Sequence, residues 1–134
     1  MDAERALQGA LLARLRADAG VAAVLGGRVW DEAPADPVWP YLVFSRSETR
    51  PVRADGGGLE HRLTLTCVSK FGGSEEAKAA VGAVRAALDG AGLALADGWR
   101  CVNARVTYAD VFRASDGRRT YGVLRVRAVT EPAA

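Results

Sequence analysis

The C-terminal third of this 134-residue chain constrains its fold more than any other stretch. Two alternating apolar and polar runs, residues 99–113 and a run that ends in residues 122–128, flank the turn Ser115-Asp116-Gly117. An Asp-Gly pair between two such runs is among the strongest short-range signals for a β-hairpin. The two faces of the second run differ in kind, one being apolar and the other bearing arginines: Leu124, Val126 and Ala128 against Val123, Arg125 and Arg127. The sequence predicts a hairpin with one face in a core and an arginine-bearing outer face.

Helical periodicity appears in three other places. Leucines at a spacing of four predict an amphipathic helix over residues 2–17, and residues 18–25 predict a second, short helical turn that ends at Gly26-Gly27. A third helix follows Ser74, whose hydroxyl is expected to accept the free amide hydrogens of the first turn. Its buried stripe is predicted at the positions spaced three or four apart: Ala77, Val81, Val84 and Leu88.

Short apolar or alternating runs predict three more strands, at residues 28–30, 41–48 and 59–70. A proline-rich loop is expected over residues 31–40, and a mobile loop over residues 49–58, which hold Pro51 and three consecutive glycines. The predicted fold class is α+β: a mixed, mostly antiparallel sheet of four to five strands with two main helices packed on one face. The length favours a single domain over residues 1–134.

Composition excludes several function classes. Eighteen basic residues are nearly matched by sixteen acidic ones, so the net charge of +2 does not indicate nucleic-acid binding. No apolar run reaches the ~20 residues that span a membrane, and the acidic, amphipathic N-terminus is unlike a signal peptide. We therefore expect a protein made and folded in the bacterial cytoplasm, with no membrane partner.

Catalytic and metal-binding patterns are also missing from the sequence. His61 is the only histidine, and its place among leucines favours a buried residue with a satisfied hydrogen bond. Cys67 and Cys101 match no metal spacing and are expected to be reduced thiols; a disulfide would require their two strands to pair in register. We predict no enzyme activity, no cofactor and no metal site.

Charged clusters are the remaining candidates for a functional site. The acids Asp31, Glu32 and Asp36 in the proline loop form either a solvated loop or one that meets an arginine of a neighbour. The arginines around the hairpin turn likewise form either a solvated turn or a protein contact, since a guanidinium pairs well with carboxylates. The predicted interface set comprises the acidic loop, the loop charges and the hairpin arginines: Asp31, Glu32, Asp36, Arg50, Arg53, Asp55, Arg113, Arg118, Arg119, Arg125 and Arg127.

An ordered set of short motifs runs along nearly the whole chain. It comprises the leucine helix with Asp18, the run Val24-Leu25-Gly26-Gly27-Arg28-Val29-Trp30-Asp31, Pro34, Pro40-Tyr41, Glu60-His61, Glu76-Ala77-Lys78, Ala86-Ala87-Leu88-Asp89-Gly90, Asp116-Gly117, Gly122-Val123-Leu124-Arg125-Val126-Arg127 and Thr130-Glu131-Pro132. In this set the chain resembles the tail terminator (tail-completion) proteins of long-tailed bacteriophages and of alphaproteobacterial gene transfer agents. It departs from the family at Val68, where members often carry tryptophan, and at Tyr121, where some carry histidine.

The resemblance implies a structural role in a virion. Such proteins look like small subunits that close into a six-fold ring, a homohexamer at the head-proximal end of the tail tube. The implied ring stops tube polymerisation and joins the tail to the head connector, and DNA passes through its lumen without specific binding. In that ring, the resemblance makes Arg125 and Arg127 candidates to meet the acidic loop of the next subunit, and residues 49–58 candidates to order against the tail tube or connector. The alternative is a small cytoplasmic α+β domain that binds a protein or a ligand.

Overall fold

The computed structural model describes residues 2–53, 56–70 and 74–133. Within these residues, three helices and five strands follow one another. Their bounds are α1 Ala3–Ala17, α2 Ala19–Leu25, β1 Val29–Trp30, β2 Tyr41–Pro51, β3 Leu59–Ser69, α3 Glu75–Leu88, β4 Trp99–Arg113 and β5 Thr120–Pro132.

The strands form one mixed sheet in the order β1-β2-β3-β5-β4. Only β1 and β2 pair in parallel, whereas β2 with β3, β3 with β5 and β5 with β4 are all antiparallel. The hairpin predicted at the C-terminus is confirmed as β4 and β5, and Gly117 adopts a positive φ of 70° in its turn. The predicted α+β class, with its mostly antiparallel sheet, is therefore confirmed.

The core lies between the helices and one face of the sheet. Apolar side chains of α1 and α3 pack against the inward residues of β3 and β5, which alternate with exposed or half-buried ones. The predicted inward residues of the two central strands are confirmed as fully or almost fully buried: His61, Leu63, Leu65, Cys67, Leu124, Val126 and Ala128. The predicted stripe of the third helix is likewise buried.

Local signals place the ends of the first two helices. The carboxylate of Asp2 accepts the amide hydrogen of Arg5, and that of Asp18 accepts the amide hydrogen of Val21. Gly26 then ends α2 in the left-handed conformation, with φ of 57°. The expected cap at Ser74 is wrong: its backbone is already right-handed helical, and its side chain makes no capping hydrogen bond.

The predicted loop over residues 49–58 is too long at its start. Thr49, Arg50 and Pro51 continue β2, because they pair with His61, Glu60 and Leu59 of β3. The glycines, proline and charges suggested an early break, but the register of the neighbouring strand overrides that local preference. The expected mobility of this loop stays a prediction, since Ala54 and Asp55 lie outside the described residues.

Candidate functional site

One face of the sheet carries several arginines, among them the candidates Arg50, Arg125 and Arg127, and we call it the arginine face. In the described part of the chain no helix packs on it, because all three helices lie on the opposite face. Cross-strand register places Arg62, Arg127 and Arg105 side by side on β3, β5 and β4. The adjacent row contains Arg46, Thr64, Arg125 and Tyr108. Neighbouring arginines repel one another, so this face needs carboxylates nearby.

Glu60 supplies the carboxylate for part of this face. Its Oε2 accepts a hydrogen bond from Nε of Arg127 at 2.8 Å and forms an ion pair with Nη2 of the same residue, also at 2.8 Å. Its Oε1 accepts a hydrogen bond from Nε of Arg62 at 3.2 Å. The hydrogen bond from Arg127 is the main reason that the pKa of Glu60 lies below its usual value. Arg127 is thus already paired within its own chain. The sequence did not indicate this pair, because Glu60 and Arg127 meet only through the β3–β5 register.

Arg125 differs from its neighbour in having no carboxylate partner among the described residues. Its guanidinium lies over the ring of Tyr108, 4.7 Å from the ring centre. Both side chains are exposed, Tyr108 to 45%. An exposed arginine that lies over an aromatic ring and has no carboxylate partner in its own chain is well suited to bind a carboxylate of another molecule.

An aromatic row borders the arginine face at the hairpin end of the sheet. Tyr41, Tyr121 and Phe112 lie in one cross-strand row with Val68, and Phe112 contacts Tyr121 at a ring distance of 5.7 Å. Trp39 contacts Tyr41 with tilted rings, whose centres lie 5.2 Å apart. Aromatic residues beside arginines are the composition typical of protein–protein interfaces.

The acidic loop follows β1 and lies beside the open edge of β2. Asp31 accepts a hydrogen bond from Nε2 of Gln8 at 2.9 Å, and all three acids are exposed. Asp36 lines an open depression together with Trp39 and Arg119. The structure therefore separates this loop from Arg125 and Arg127 within one chain, and their predicted contact between subunits stays a prediction.

The remaining candidates lie at the ends of two hairpins. Arg50 is exposed near the end of β2, and Arg53 is exposed just after it, whereas Asp55 lies outside the described residues. At the other hairpin, Arg113 ends β4 and Arg118 follows the turn, both exposed. Arg119 instead lies over the ring of Trp39, 5.0 Å from its centre. It ties the turn to the proline loop, a contact that no local sequence pattern signals.

His61 has the structural role that the sequence predicts. It is fully buried, its Nε2 lies 2.8 Å from Oγ1 of Thr130, and its Nδ1 lies 3.3 Å from Oγ1 of Thr49. Burial lowers its pKa, against a smaller opposing effect of Glu4, so the ring is neutral near pH 7.

The two cysteines are free thiols. Strand β5 separates their strands, so the register that a disulfide requires is absent. Burial raises the pKa of the Cys67 thiol to about 12 and also raises that of Cys101. Among the described residues, no three His, Cys, Asp or Glu side chains cluster around a metal-sized space, and none of the helices there is long and apolar enough to cross a membrane.

Residues 9–131 match the sequence model of the family described as tail completion protein gp17. The chain belongs to this family. The match covers most of the sequence, and it confirms the family that the ordered motifs indicate.

A solved structure supports the same assignment. A chain of the "Virion of native gene transfer agent (GTA) particle" is similar at 32% sequence identity, with a TM-score of 0.87 over 96% of each chain. No curated protein matches the sequence. A tail completion protein is a structural component of a phage-type tail, so the chain belongs in a virion-like particle, as the sequence predicts.

Proposed function

We propose that this tail completion protein is the tail terminator of its particle. Copies of the chain close into a six-fold ring on the head-proximal end of the tail tube. The ring stops tube polymerisation and offers the head connector a docking surface. Its partners are thus further copies of itself, the tail tube protein and the connector protein, and DNA crosses the lumen without sequence-specific contacts.

The observation that carries this proposal is the family match together with the similarity to a chain of a gene transfer agent virion. The arginine face gives the proposal a physical basis. Arg46, Arg62 and Arg127 pair with Glu48 or Glu60, whereas Arg125 has no carboxylate partner among the described residues. An exposed arginine of this kind near an aromatic row has the composition typical of a protein interface. In a ring, each subunit meets the next through two different surfaces, which suits a chain whose acidic loop and arginine face are separate.

Within this proposal, Arg125 is the main candidate anchor on the arginine face. Arg127 is half-buried and bonded to Glu60, so it contributes less to a contact with another molecule. The acidic loop of the next subunit, with Asp31, Glu32 and Asp36, is the complement that the sequence suggests. Residues 49–58 are the second candidate surface, directed to the tube or the connector.

Removal of the chain from its particle tests the function. A particle-producing strain without this gene should make filled heads and separate tails, with tails of irregular length, because nothing caps the tube. Supplying the chain from a plasmid should restore joined particles with tails of uniform length. Electron microscopy of both preparations gives the answer, and joined particles of normal tail length in the deleted strain would refute the proposal.

A further inference from the structure

The sheet has two open edges, and each is protected along only part of its length. Strand β4 forms one edge, where the carboxylate of Asp89 accepts the amide hydrogen of Val106 and the amide of Gly90 donates to the carbonyl of Ala104. These two bonds protect the outer side of β4 at Ala104 and Val106. From Ala109 to Arg113, no described segment pairs with the outer side of the strand. An unprotected edge of this kind is ready to pair with another strand.

The second open edge belongs to β2. Strand β1 pairs only with Leu42 and Val43, so the part of β2 from Ser47 to Pro51 has no neighbour on its outer side among the described residues. The two open segments are of similar length. They lie at opposite sides of the same sheet.

Backbone geometry shows which residues on each edge have free hydrogen-bonding groups. In an antiparallel pair, alternate residues direct their backbone groups to their partner and the others direct them away. Ala114 bonds to Arg119, which places the free groups of β4 on the alternate residues Ala109, Val111 and Arg113. Val52 bonds to Gly58, which places the free backbone groups of β2 on Ser47, Thr49 and Pro51. Pro51 has no amide hydrogen, so it offers only its carbonyl. Each edge therefore offers three residues at the same spacing.

Strand direction also matches. Three successive antiparallel pairings separate β2 from β4, so the two strands run in opposite directions within one chain. A second copy in the same orientation, displaced along the strands so that the two open segments meet, thus presents its β2 antiparallel to β4. This is the arrangement that head-to-tail repetition around a ring produces.

We infer that β4 of one copy pairs with β2 of the next in an antiparallel ladder, in which Val111 lies opposite Thr49 and Arg113 lies opposite Ser47. This inference rests on the proposed ring and names how its subunits join. The occupant of each open edge is a second copy of this chain.

Charge selects that register on the arginine face. The inferred register places Asp110 of one copy opposite Arg50 of the next. Neither residue has an ion-pair partner among the described residues. A slip by two residues would place Asp110 opposite Glu48 instead, and like charges directly opposite are destabilising. Both registers keep the apolar side chains on the helix side, so the charged pairs decide between them.

A second charge match appears on the helix side. Arg113 follows the outward Phe112, so its side chain projects to the helix side of the sheet. There, Ser47 borders an open cleft of about 620 Å³ whose lining includes Glu4 and Asp31. In the proposed register, Arg113 of one copy enters this cleft of the next. In this register Asp31 of the acidic loop meets Arg113, which is an alternative to the contact of this loop with Arg125 that the proposed function includes.

Engineered disulfides test the register directly. Arg50 and Asp110 form a non-hydrogen-bonded pair in the proposed ladder, where β-carbons lie about 4.5–5.5 Å apart. A chain carrying both Arg50→Cys and Asp110→Cys should form, on mild oxidation, a ladder of linked copies on non-reducing gels. Within one chain the two positions are three strand spacings apart across the sheet, about 14 Å, and their rows are further displaced along the strands, which excludes an internal bridge.

The matched control is the chain with Glu48→Cys and Asp110→Cys, which would link only in the slipped register. Each single variant shows how much linkage comes from the native thiols. We expect the series of linked bands only for the Arg50→Cys and Asp110→Cys chain. Its ratio of linked to unlinked copies should be at least ten times that of the control chain. Efficient linkage of the control, or none in either chain, would overturn the inferred register.

Native mass spectrometry separates this inference from the proposed function. It is applied to the purified variant at graded concentrations and to tails isolated from particles that incorporate the variant. Closed rings without linkage between positions 50 and 110 would refute the inferred strand pairing and would still support the proposed ring. A single copy per tail overturns the ring itself. Linkage of an introduced thiol at position 50 or 110 to another tail protein shows that the edge binds that protein, and it also refutes the inference.

Charge exchange gives a second measure without cysteines. Arg50→Asp or Asp110→Arg alone should weaken ring formation, and the two changes together should restore it. Equal losses in the single and double variants would show that these residues do not meet.

Discussion

Gly122 lies directly beneath Val81, so closely that a β-carbon at position 122 would stand 2.8 Å from Cγ2 of Val81. The same β-carbon would lie 3.4 Å from the carbonyl oxygen of Ala77. Gly122 has an ordinary backbone conformation, so the glycine is required by space rather than by torsion angles. It allows α3 to approach β5, and this approach fixes how the helix lies on the sheet.

Gly122→Ala should therefore destabilise the protein by about 1–3 kcal/mol, the usual cost of overpacking a core. Denaturant unfolding measures the change. Adding Val81→Ala should recover part of the loss, because it removes the contacting methyl group. Gly9→Ala in α1 is the matched control, since a β-carbon at position 9 would have no atom within 4 Å; it should stabilise the helix by roughly 0.5–1 kcal/mol. A neutral Gly122→Ala would mean that α3 can move away at no cost.

His61 makes stability depend on pH in a defined direction. Burial lowers its pKa in the folded state below the ordinary value of 6.5, so the unfolded chain binds the proton more readily. The stabilisation is complete above pH 6.5 and is lost as the pH falls below that value. We expect the free energy of unfolding to decrease by up to about 1.4 kcal/mol per pH unit in this window.

The measurement is denaturant unfolding between pH 7.5 and 5.0, a range above the ordinary pKa of the carboxylates. His61→Gln, which keeps a polar side chain but does not titrate, should show a flatter profile over the same range. An equal slope in both proteins would assign the pH dependence to other groups.

The native thiols should be unreactive. Burial raises the pKa of Cys67 to about 12, so its thiolate is very rare at pH 8. Burial also raises the pKa of Cys101, whose Sγ donates to the carbonyl of Asn103 at 3.2 Å. A thiol reagent should label neither residue in the folded protein and both in denaturant. Rapid labelling of one thiol in native buffer, assigned with Cys67→Ala and Cys101→Ser, would contradict this.

Local signals in the sequence predict the elements better than their contacts. The Asp-Gly turn and the helix stop at Gly26 each depend on nearby residues, and both stand in the structure as predicted. Ser74 fails as a cap because its backbone is already right-handed helical, a conformation that its local sequence does not signal. Strand β2 extends beyond Thr49 for a similar reason, since β3 supplies its hydrogen bonds.

The candidate site was only partly predictable for the same reason. Alternation along β5 places Arg125 and Arg127 on the outer face, but it does not show which carboxylate or ring each one meets. Glu60 reaches Arg127 through the pairing of β3 with β5, and Tyr108 reaches Arg125 through a bulge in β4. Neither the sheet order nor the bulge has a signal in a single sequence.

The loop between β2 and β3 offers a test of contact with the tail tube or the connector. Deleting residues 53–57 should leave the fold intact, because the flanking strands remain paired up to Pro51 and Leu59. The same deletion should impair the joining of heads to tails, since it removes the tip of this hairpin. Circular dichroism and thermal unfolding check the fold, and counts of joined particles check the function. Normal joining by a stably folded deletion variant would refute a docking role, and Arg53→Ser tests whether its charge contributes.

Charge reversal on the arginine face should separate Arg125 from Arg127. Arg127→Glu places two carboxylates side by side at Glu60, so we expect it to lower stability as well as assembly. Arg125→Glu breaks no ion pair and should leave the stability within about 0.5 kcal/mol of the parent, as surface changes usually do. Its effect on ring formation is then free of any folding defect. A loss of rings in Arg125→Glu that Glu32→Arg restores would assign the acidic loop to Arg125. Intact rings in Arg125→Glu would indicate that the acidic loop contacts Arg113 instead, and that the arginine face binds a different partner.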